Sequence, residues 1–426
     1  MEIRERIKLI LKEINPWWKD KDFKVKGYSP RQILTTLKKF FSSRQIIALA
    51  GLRRVGKTTL ILKIIEFFLK KIKPYCILYF SFDDFSYLDI EDLLVSYREI
   101  FPEINLREDK FLFCFDEIQK LESWQEKLKR IYDIYPNIKI IVSGSETLFL
   151  RKKIKETLAG RIFEFKISPL NFKEYIYFTK NDILIERVEL YKEELKKLYR
   201  EFLKNNGFPE LAGIKEDMFI HKYLKEAVID KILFKDIPYL FKIKNQDLLA
   251  EILDIIIFSP GQIIDILKLS KELKITRQSV SLYLDYLEKS FLIKKIYNFS
   301  PNLRKEKRKL KKYYPIIVFP SLIEKAFSFC FENSLIWQLG IEFFYRDVYK
   351  NEVDAIMASK DKIIPVEIKC GKINLKSLYY FMKKYKIKKS IVISWDEEKE
   401  IEGVKVIPFY KLLLKEKIGI KSVKYV

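Results

Sequence analysis

The chain has 426 residues, a formal net charge of +24 and 48% hydrophobic residues. That length exceeds one ordinary hydrophobic core, so two or three domains are expected. No uninterrupted apolar run reaches the about 18 residues a membrane span needs, and four scattered cysteines (Cys76, Cys114, Cys330, Cys370) with a single histidine argue against a zinc site.

The first 30 residues open with "MEIRERIKLILKEI", which mixes both charge signs and lacks the small-residue cleavage site of a signal peptide. They read as an N-terminal helical extension, and the protein as cytoplasmic. Abundant Ile, Lys and Glu with few Met and Cys fit a thermophilic source. The basic balance points to a polyanion partner, or to a Lys- and Glu-rich surface that serves stability and solubility.

"RQIIALA" is a short apolar strand pattern, and "TLILKIIEFFLKK" is helical. Between them "GLRRVGKTTL" fits G-x-x-x-x-G-K-[ST] at Gly51, Gly56, Lys57 and Thr58. Such a loop cradles phosphates with backbone N–H groups and the helix N-terminus, and glycines permit the close approach. Gly51, Leu52, Arg53, Arg54, Val55, Gly56, Lys57, Thr58 and Thr59 are therefore expected to bind ATP, with Lys57 on the β- and γ-phosphates and the Thr58 hydroxyl on Mg²⁺. "YCILYFSFDD" is a further strand ending at Asp83 and Asp84. "KFLFCFDEIQ" is an apolar strand ending in Asp116–Glu117, expected to hold Mg²⁺ and to polarise the attacking water respectively, or else to cap a helix. "NIKIIVSGSE" is another strand; Ser145 or Ser143 at its end could sense the γ-phosphate or simply cap a loop.

The series "GLRRVGKTT", "FDEIQ", "VSGSE", "LAGR…SPLNFKEY" and "NNGFPEL", spread over roughly residues 30 to 240, resembles a family of prokaryotic AAA-type P-loop ATPases whose C-terminal half is a domain of unknown function. The resemblance implies that Arg161 is an arginine finger or sensor for a γ-phosphate in its own or a neighbouring subunit. It places the ATPase core at 31–168 and a helical lid at 169–250, with Gly207 and Pro209 setting a turn between helices. His221 falls in a helical pattern and reads as structural.

Residues 251–315 carry winged helix-turn-helix grammar. A helix ends near "LSKEL", the break Lys274–Ile275–Thr276 follows, and Thr276 caps a second helix with an apolar stripe at Val280, Leu284 and Leu287. Arg277, Gln278 and Ser281 would lie on the exposed face of a recognition helix. Arg304, Lys305, Lys307, Arg308, Lys309, Lys311 and Lys312 would line a wing and neutralise DNA phosphates, which would make binding steeply salt-dependent. A winged helix used only for protein contacts, with a solvated charge run, is the alternative.

Residues 316–426 alternate helix and strand patterns. Glu332 lies on a helix, Asp354 on a strand, and Glu367-x-Lys369 on the next, with Glu367 and Lys369 on one face and Val366, Ile368 and Cys370 on the other. Asp354 followed thirteen residues later by Glu367-x-Lys369 resembles the PD-(D/E)xK restriction-nuclease core, with Glu332 as its optional helical acid. The resemblance implies that Asp354 and Glu367 hold Mg²⁺ while Lys369 positions or activates water.

The expected fold class is thus α/β: an AAA-type P-loop NTPase with a helical lid, a winged helix-turn-helix, and a restriction-endonuclease-like α/β domain. The expected cofactors are ATP and Mg²⁺, and the expected activity is ATP hydrolysis coupled to a DNA-binding C-terminal half. An ATP-regulated nuclease and a protein-binding switch without nucleic acid stay open, as does a homo-oligomer; no membrane partner is expected.

Overall fold

The computed structural model describes residues 3–83, 88–144, 156–241, 243, 245–300, 310–358 and 362–415. These form two compact units, divided between Pro169 and Leu170. None of the described helices is long and apolar enough to cross a membrane.

Unit 1 is built on five parallel strands: β1 (Ile46–Ala50), β2 (Ile77–Ser81), β3 (Phe111–Asp116), β4 (Ile138–Gly144) and β5 (Ile162–Lys166), in the order β2-β3-β4-β1-β5. β1, β3 and β4 are buried along their whole length. That is why they read as unbroken apolar runs: helices cover both faces of a parallel sheet. α1 (Ile3–Ile14), α2 (Gln32–Lys38), α3 (Lys57–Phe68), α4 (Ile90–Ile100) and α5 (Trp124–Ile134) surround it.

The N-terminal segment is part of this unit. α1 buries Ile7 and Leu11, one helical turn apart, in the same core as Leu78, Phe80 and Phe113. The sheet's open edge at β2 is then closed by side chains. Asn15, fully buried, donates to the Tyr79 carbonyl (3.0 Å) and accepts from the Tyr79 N–H (2.7 Å), while the Trp17 and Trp18 indoles both donate to the Ile77 carbonyl (3.1 and 2.8 Å). Pairing of this kind satisfies the backbone groups that an edge strand would leave bare.

Unit 2 contains one mixed nine-stranded sheet: β6 (Gln262–Ile263), β7 (Ile293–Asn298), β8 (Lys311–Pro315), β9 (Phe343–Arg346), β10 (Glu352–Ala358), β11 (Ile363–Lys369), β12 (Ser390–Ser394), β13 (Lys399–Ile401) and β14 (Val404–Pro408). Their order is β13-β14-β12-β11-β10-β9-β7-β8-β6. The helix-turn-helix and the C-terminal α/β region, read from sequence as successive domains, are therefore continuous. β7 pairs in parallel with β9, and buried Asn298 clasps the Arg346 backbone, donating to its carbonyl (2.7 Å) and accepting from its N–H (3.0 Å).

The stretch expected as a lid also folds into unit 2. Helices Phe172–Phe178 and Lys192–Asn205 bury Phe172, Tyr175, Tyr199 and Phe202 in a core shared with Phe331, Ile336, Ile407 and Phe409. "NNGFPEL" is the turn after the second of these helices. Asn206 donates to the Val318 carbonyl (2.9 Å) and accepts from its N–H (2.7 Å), anchoring the motif beside β8. His221 packs against Phe319 with ring centres 4.4 Å apart and ring planes tilted by 31°.

A phosphate loop in unit 1 and a carboxylate–lysine centre in unit 2

Gly51–Thr58 joins the C-terminal end of β1 to the N-terminus of α3. Two glycines shape the turn. A Cβ on Gly51 would overlap the Ile167 carbonyl oxygen, and Gly56 sits at φ +89°, a left-handed conformation open to glycine without strain. Lys57 is buried and its ammonium donates to the carbonyls of Gly51 (3.2 Å) and Leu52 (2.9 Å), with the Glu117 carboxylate 3.7 Å away. Arg54 is exposed with φ +64°, and Thr58 and Thr59 are exposed on the first turn of α3.

The acidic pair meets this loop because β3 and β1 both flank β4 in register. Asp116, buried at the end of β3, accepts from the Thr58 hydroxyl (2.5 Å), from the Tyr79 hydroxyl (3.2 Å) and from the Ser143 hydroxyl. Burial, then the charge of Asp116, pushes the Tyr79 hydroxyl far above its ordinary value, so it stays a donor. Glu117 follows at φ +49°; its N–H donates to Ser143 Oγ (3.3 Å), and its carboxylate accepts from the Gln119 amide. Sequence reasoning left Tyr79 and Gln119 unread. Tyr79 on the neighbouring strand could have been found only from strand order, which periodicity does not give. Ser145 lies outside the described residues, as does Asp84.

Arg161 does not join this site within the chain. Its carbonyl accepts from the N–H of Ile46 at the start of β1, whereas the phosphate loop leaves the other end of that strand. Five residues of strand separate the two by about 16 Å. The side chain pairs with Asp133 (2.9 Å) instead, which holds the carboxylate below its ordinary range. That distance does not fit a sensor acting on its own subunit's loop: Arg161 lies at the end of the strands opposite the phosphate loop.

In unit 2 the stretch expected as a helix-turn-helix holds two helices joined by a short turn. Helices Ile266–Glu272 and Arg277–Lys289 flank a turn in which Lys274 takes φ +52°, the conformation for which glycine is usual. Thr276 caps the second helix, accepting from the Ser279 N–H (3.1 Å). Arg277, Gln278 and Ser281 are exposed. Arg304, Lys305, Lys307, Arg308 and Lys309 lie outside the described residues. Lys312 is corrected: it is buried on β8, not solvated on a wing, and its ammonium pairs with Glu352 (2.6 Å) and faces Glu332 (3.8 Å).

Lys312 belongs to a charged centre that β8, β10, β11 and helix Phe327–Gln338 assemble. Lys369 bridges Asp354 (2.9 Å) and Glu367 (2.7 Å), and the Ile368 N–H also donates to Asp354 (2.8 Å). Glu332 accepts from the Tyr314 hydroxyl (2.6 Å). Asp354 and Glu367 are both buried. Burial opposes ionisation of Asp354, yet Lys369 and the bonds around it pull it below its ordinary value. Glu367 is pushed well above its own by burial and by the Asp354 charge. Glu332 is pushed up to about 7 for the same two reasons. The four residues read from sequence are therefore brought together; Lys312 and Tyr314 were missed as members because they sit on the strand assigned to the wing. Among the described residues, no three His, Cys, Asp or Glu side chains converge on a common metal position.

A family described as an AAA domain matches residues 43–176, and two described as domains of unknown function (DUF8612 and DUF4143) match residues 196–316 and 332–412. The chain is 30% identical over 410 residues to the uncharacterized protein MJ1637 of Methanocaldococcus jannaschii, covering 87% of this chain and 85% of that one. It is 27% identical over 397 residues to an uncharacterized protein of Haemophilus influenzae, covering 89% and 96%. Among solved structures it is similar to the Aeropyrum pernix Orc1 protein in complex with DNA, at 12% identity over 73% of this chain and 95% of that one, with a TM-score of 0.32, a likeness too loose to carry an argument. Unit 1, with its parallel sheet and phosphate loop, has the AAA-type P-loop ATPase fold, and the chain belongs to the family of MJ1637.

Proposed function

We propose that the protein binds ATP with Mg²⁺ at the Gly51–Thr59 loop and hydrolyses it to ADP and phosphate, as a nucleotide switch for a C-terminal half that engages DNA. The observation that carries the ATPase reading is the apposition of Thr58 and Asp116 at the mouth of the loop. A hydroxyl and a carboxylate at hydrogen-bond distance are the hard oxygen donors that Mg²⁺ takes, and the buried Lys57 ammonium stands on the loop carbonyls of Gly51 and Leu52 beside them. Both features fit the group.

In this reading the main chain of Gly51–Thr59 and the Lys57 ammonium hold the phosphates, and Thr58 and Asp116 hold the metal. Mg²⁺, when bound, neutralises charge on the phosphate oxygens. Ser143 and Tyr79 keep the Asp116 carboxylate aimed at that position. Glu117 orients water and takes its proton, with Gln119 and Lys57 setting where its carboxylate lies. Arg161, whose reach excludes its own loop, would act only on a neighbouring subunit.

The test is steady-state ATP turnover with and without duplex DNA. Lys57→Ala should abolish nucleotide binding or turnover; wild-type turnover in that variant would sink the reading. DNA engagement rests on exposed Arg277, Gln278 and Ser281 and on the net charge. Fluorescence anisotropy with duplex DNA across a salt series tests it, and absence of binding at low salt would remove it.

A second reading, an ATP-regulated, metal-dependent nuclease, is favoured by Lys369 bridging Asp354 and Glu367. Asp354 and Glu367 would hold Mg²⁺ there, with Lys369 displaced from them toward water, and Glu332 beside them. Plasmid cleavage with Mg²⁺ or Mn²⁺ decides it: a Glu367→Ala protein that cuts as well as wild type excludes this site.

A further inference from the structure

Arg31 is absorbed by none of the roles above. It precedes α2 and is 7% exposed, with its guanidinium donating to two carbonyls: Val55 (3.0 Å) and Ser168 (2.7 Å). Val55 lies in the phosphate loop. Ser168 follows β5 and stands two residues before unit 2 begins. A planar guanidinium can satisfy two separate carbonyls from fixed directions, whereas an ammonium is a single point of charge.

The bond to Val55 has a consequence for the loop. The Val55–Gly56 peptide is trans, so fixing its C=O fixes the Gly56 N–H in the opposite direction. Arg31 thus holds the Gly56 N–H of the loop turned away from itself. The loop's other end is registered on the same short segment. Ile167 N–H donates to the Ala50 carbonyl (2.7 Å), and the Ile167 carbonyl leaves no room for a Cβ on Gly51. Both ends of the loop therefore lean on residues 167–168.

We propose that Arg31 is a positioning residue that sets the Val55–Gly56 peptide for nucleotide and ties the loop to Ser168, so that nucleotide binding is felt at the Pro169–Leu170 junction. This rests on the reading of Gly51–Thr59 as a nucleotide loop. Rearrangement of the loop around phosphates must move, or be resisted by, the carbonyl that shares a guanidinium with Ser168. Tyr28 steadies the arrangement, its hydroxyl accepting from the Arg31 N–H (3.3 Å).

The test uses the full chain, a fluorescent ATP analogue with Mg²⁺, and trypsin, for which Lys166 and Lys173 flank the junction. In the wild type, nucleotide should slow cleavage after both lysines. Arg31→Gln should bind the analogue roughly tenfold more weakly, the loss of one charge-assisted hydrogen bond, and should lose that protection. Arg31→Lys keeps the charge without the fork, so it should retain most affinity and still lose the protection; it decides the matter if Arg31→Gln does not fold. A folded variant that keeps nucleotide-dependent protection overturns the tie, as does a wild type that binds the analogue without any protection. Lys57→Ala separates the two levels. If it binds as well as wild type, the nucleotide reading falls, and this inference with it.

Discussion

Lys57 at the start of α3 and Lys369 at the end of β11 each stand beside acidic side chains, and the two centres treat these lysines differently. In unit 1 Lys57 is held by the Gly51 and Leu52 carbonyls and stays 3.7 Å from Glu117. In unit 2 Lys369 lies within 2.9 Å of both Asp354 and Glu367. Neutral backbone positions the first lysine, which leaves its charge to act on a ligand. The second lysine neutralises the carboxylates that hold it. A buried charge is costly unless paired, so unit 2's centre is bound to its own stability in a way that unit 1's is not.

The largest expected effect tests the first half of that contrast. Glu117→Gln should lower ATP turnover by about 10³ while leaving ATP bound; single-turnover assays with retained nucleotide measured on a filter check it. Lys369→Met should then destabilise the protein by about 3 kcal/mol, since it leaves two buried carboxylates facing each other. Lys57→Met should cost far less, and urea denaturation of the two variants side by side would break the comparison if the costs were equal.

Glu332 gives a pH signature of the second centre. Its folded value, about 7, is raised from an ordinary 4.5, so between those two pH values the folded chain holds the proton more tightly than the unfolded chain. Stability from this group is full below pH 4.5 and is lost as pH rises through about 7. Glu332→Gln should flatten that slope and stabilise the protein at pH 8 by on the order of 2 kcal/mol, read from melting curves at pH 5 and pH 8. The smallest effect falls back on unit 1. Ser143→Ala frees the Asp116 carboxylate from one donor and should weaken Mg²⁺-dependent ATP binding about tenfold, measurable by titration calorimetry.

Local spacing carried much of this into the sequence. The phosphate loop needs its glycines at fixed places, and Gly51 and Gly56 occupy them because the backbone there admits no Cβ or takes a positive φ. Thr276 was legible as a cap because capping is local. What spacing could not carry was strand order. Asp116 meets Tyr79 and Ser143 only because β3 lies between β2 and β4, and Lys312 meets Glu352 only because β8 and β10 belong to one sheet, with β7 and β9 between them. The same limit explains Arg161: its motif is local, but the end of the sheet it occupies is a property of the parallel β1–β5 pair. The helices at 172–205 look self-sufficient by their periodicity, yet the partners of their apolar faces, Phe331 and Phe409, come more than a hundred residues later.

The β7–β9 pairing has a consequence for dissecting the protein. A cut at residues 315/316 looks natural on the sequence, between a helix-turn-helix and an α/β region. It would run through the middle of one sheet and expose two strands with unpaired backbone, a template for aggregation. Fragments made there should be insoluble. The helix Arg277–Lys289 and the Asp354 centre would be inherited, exchanged or lost as a single piece, so a relative that swaps one for another must rebuild the seam at Asn298 and Arg346.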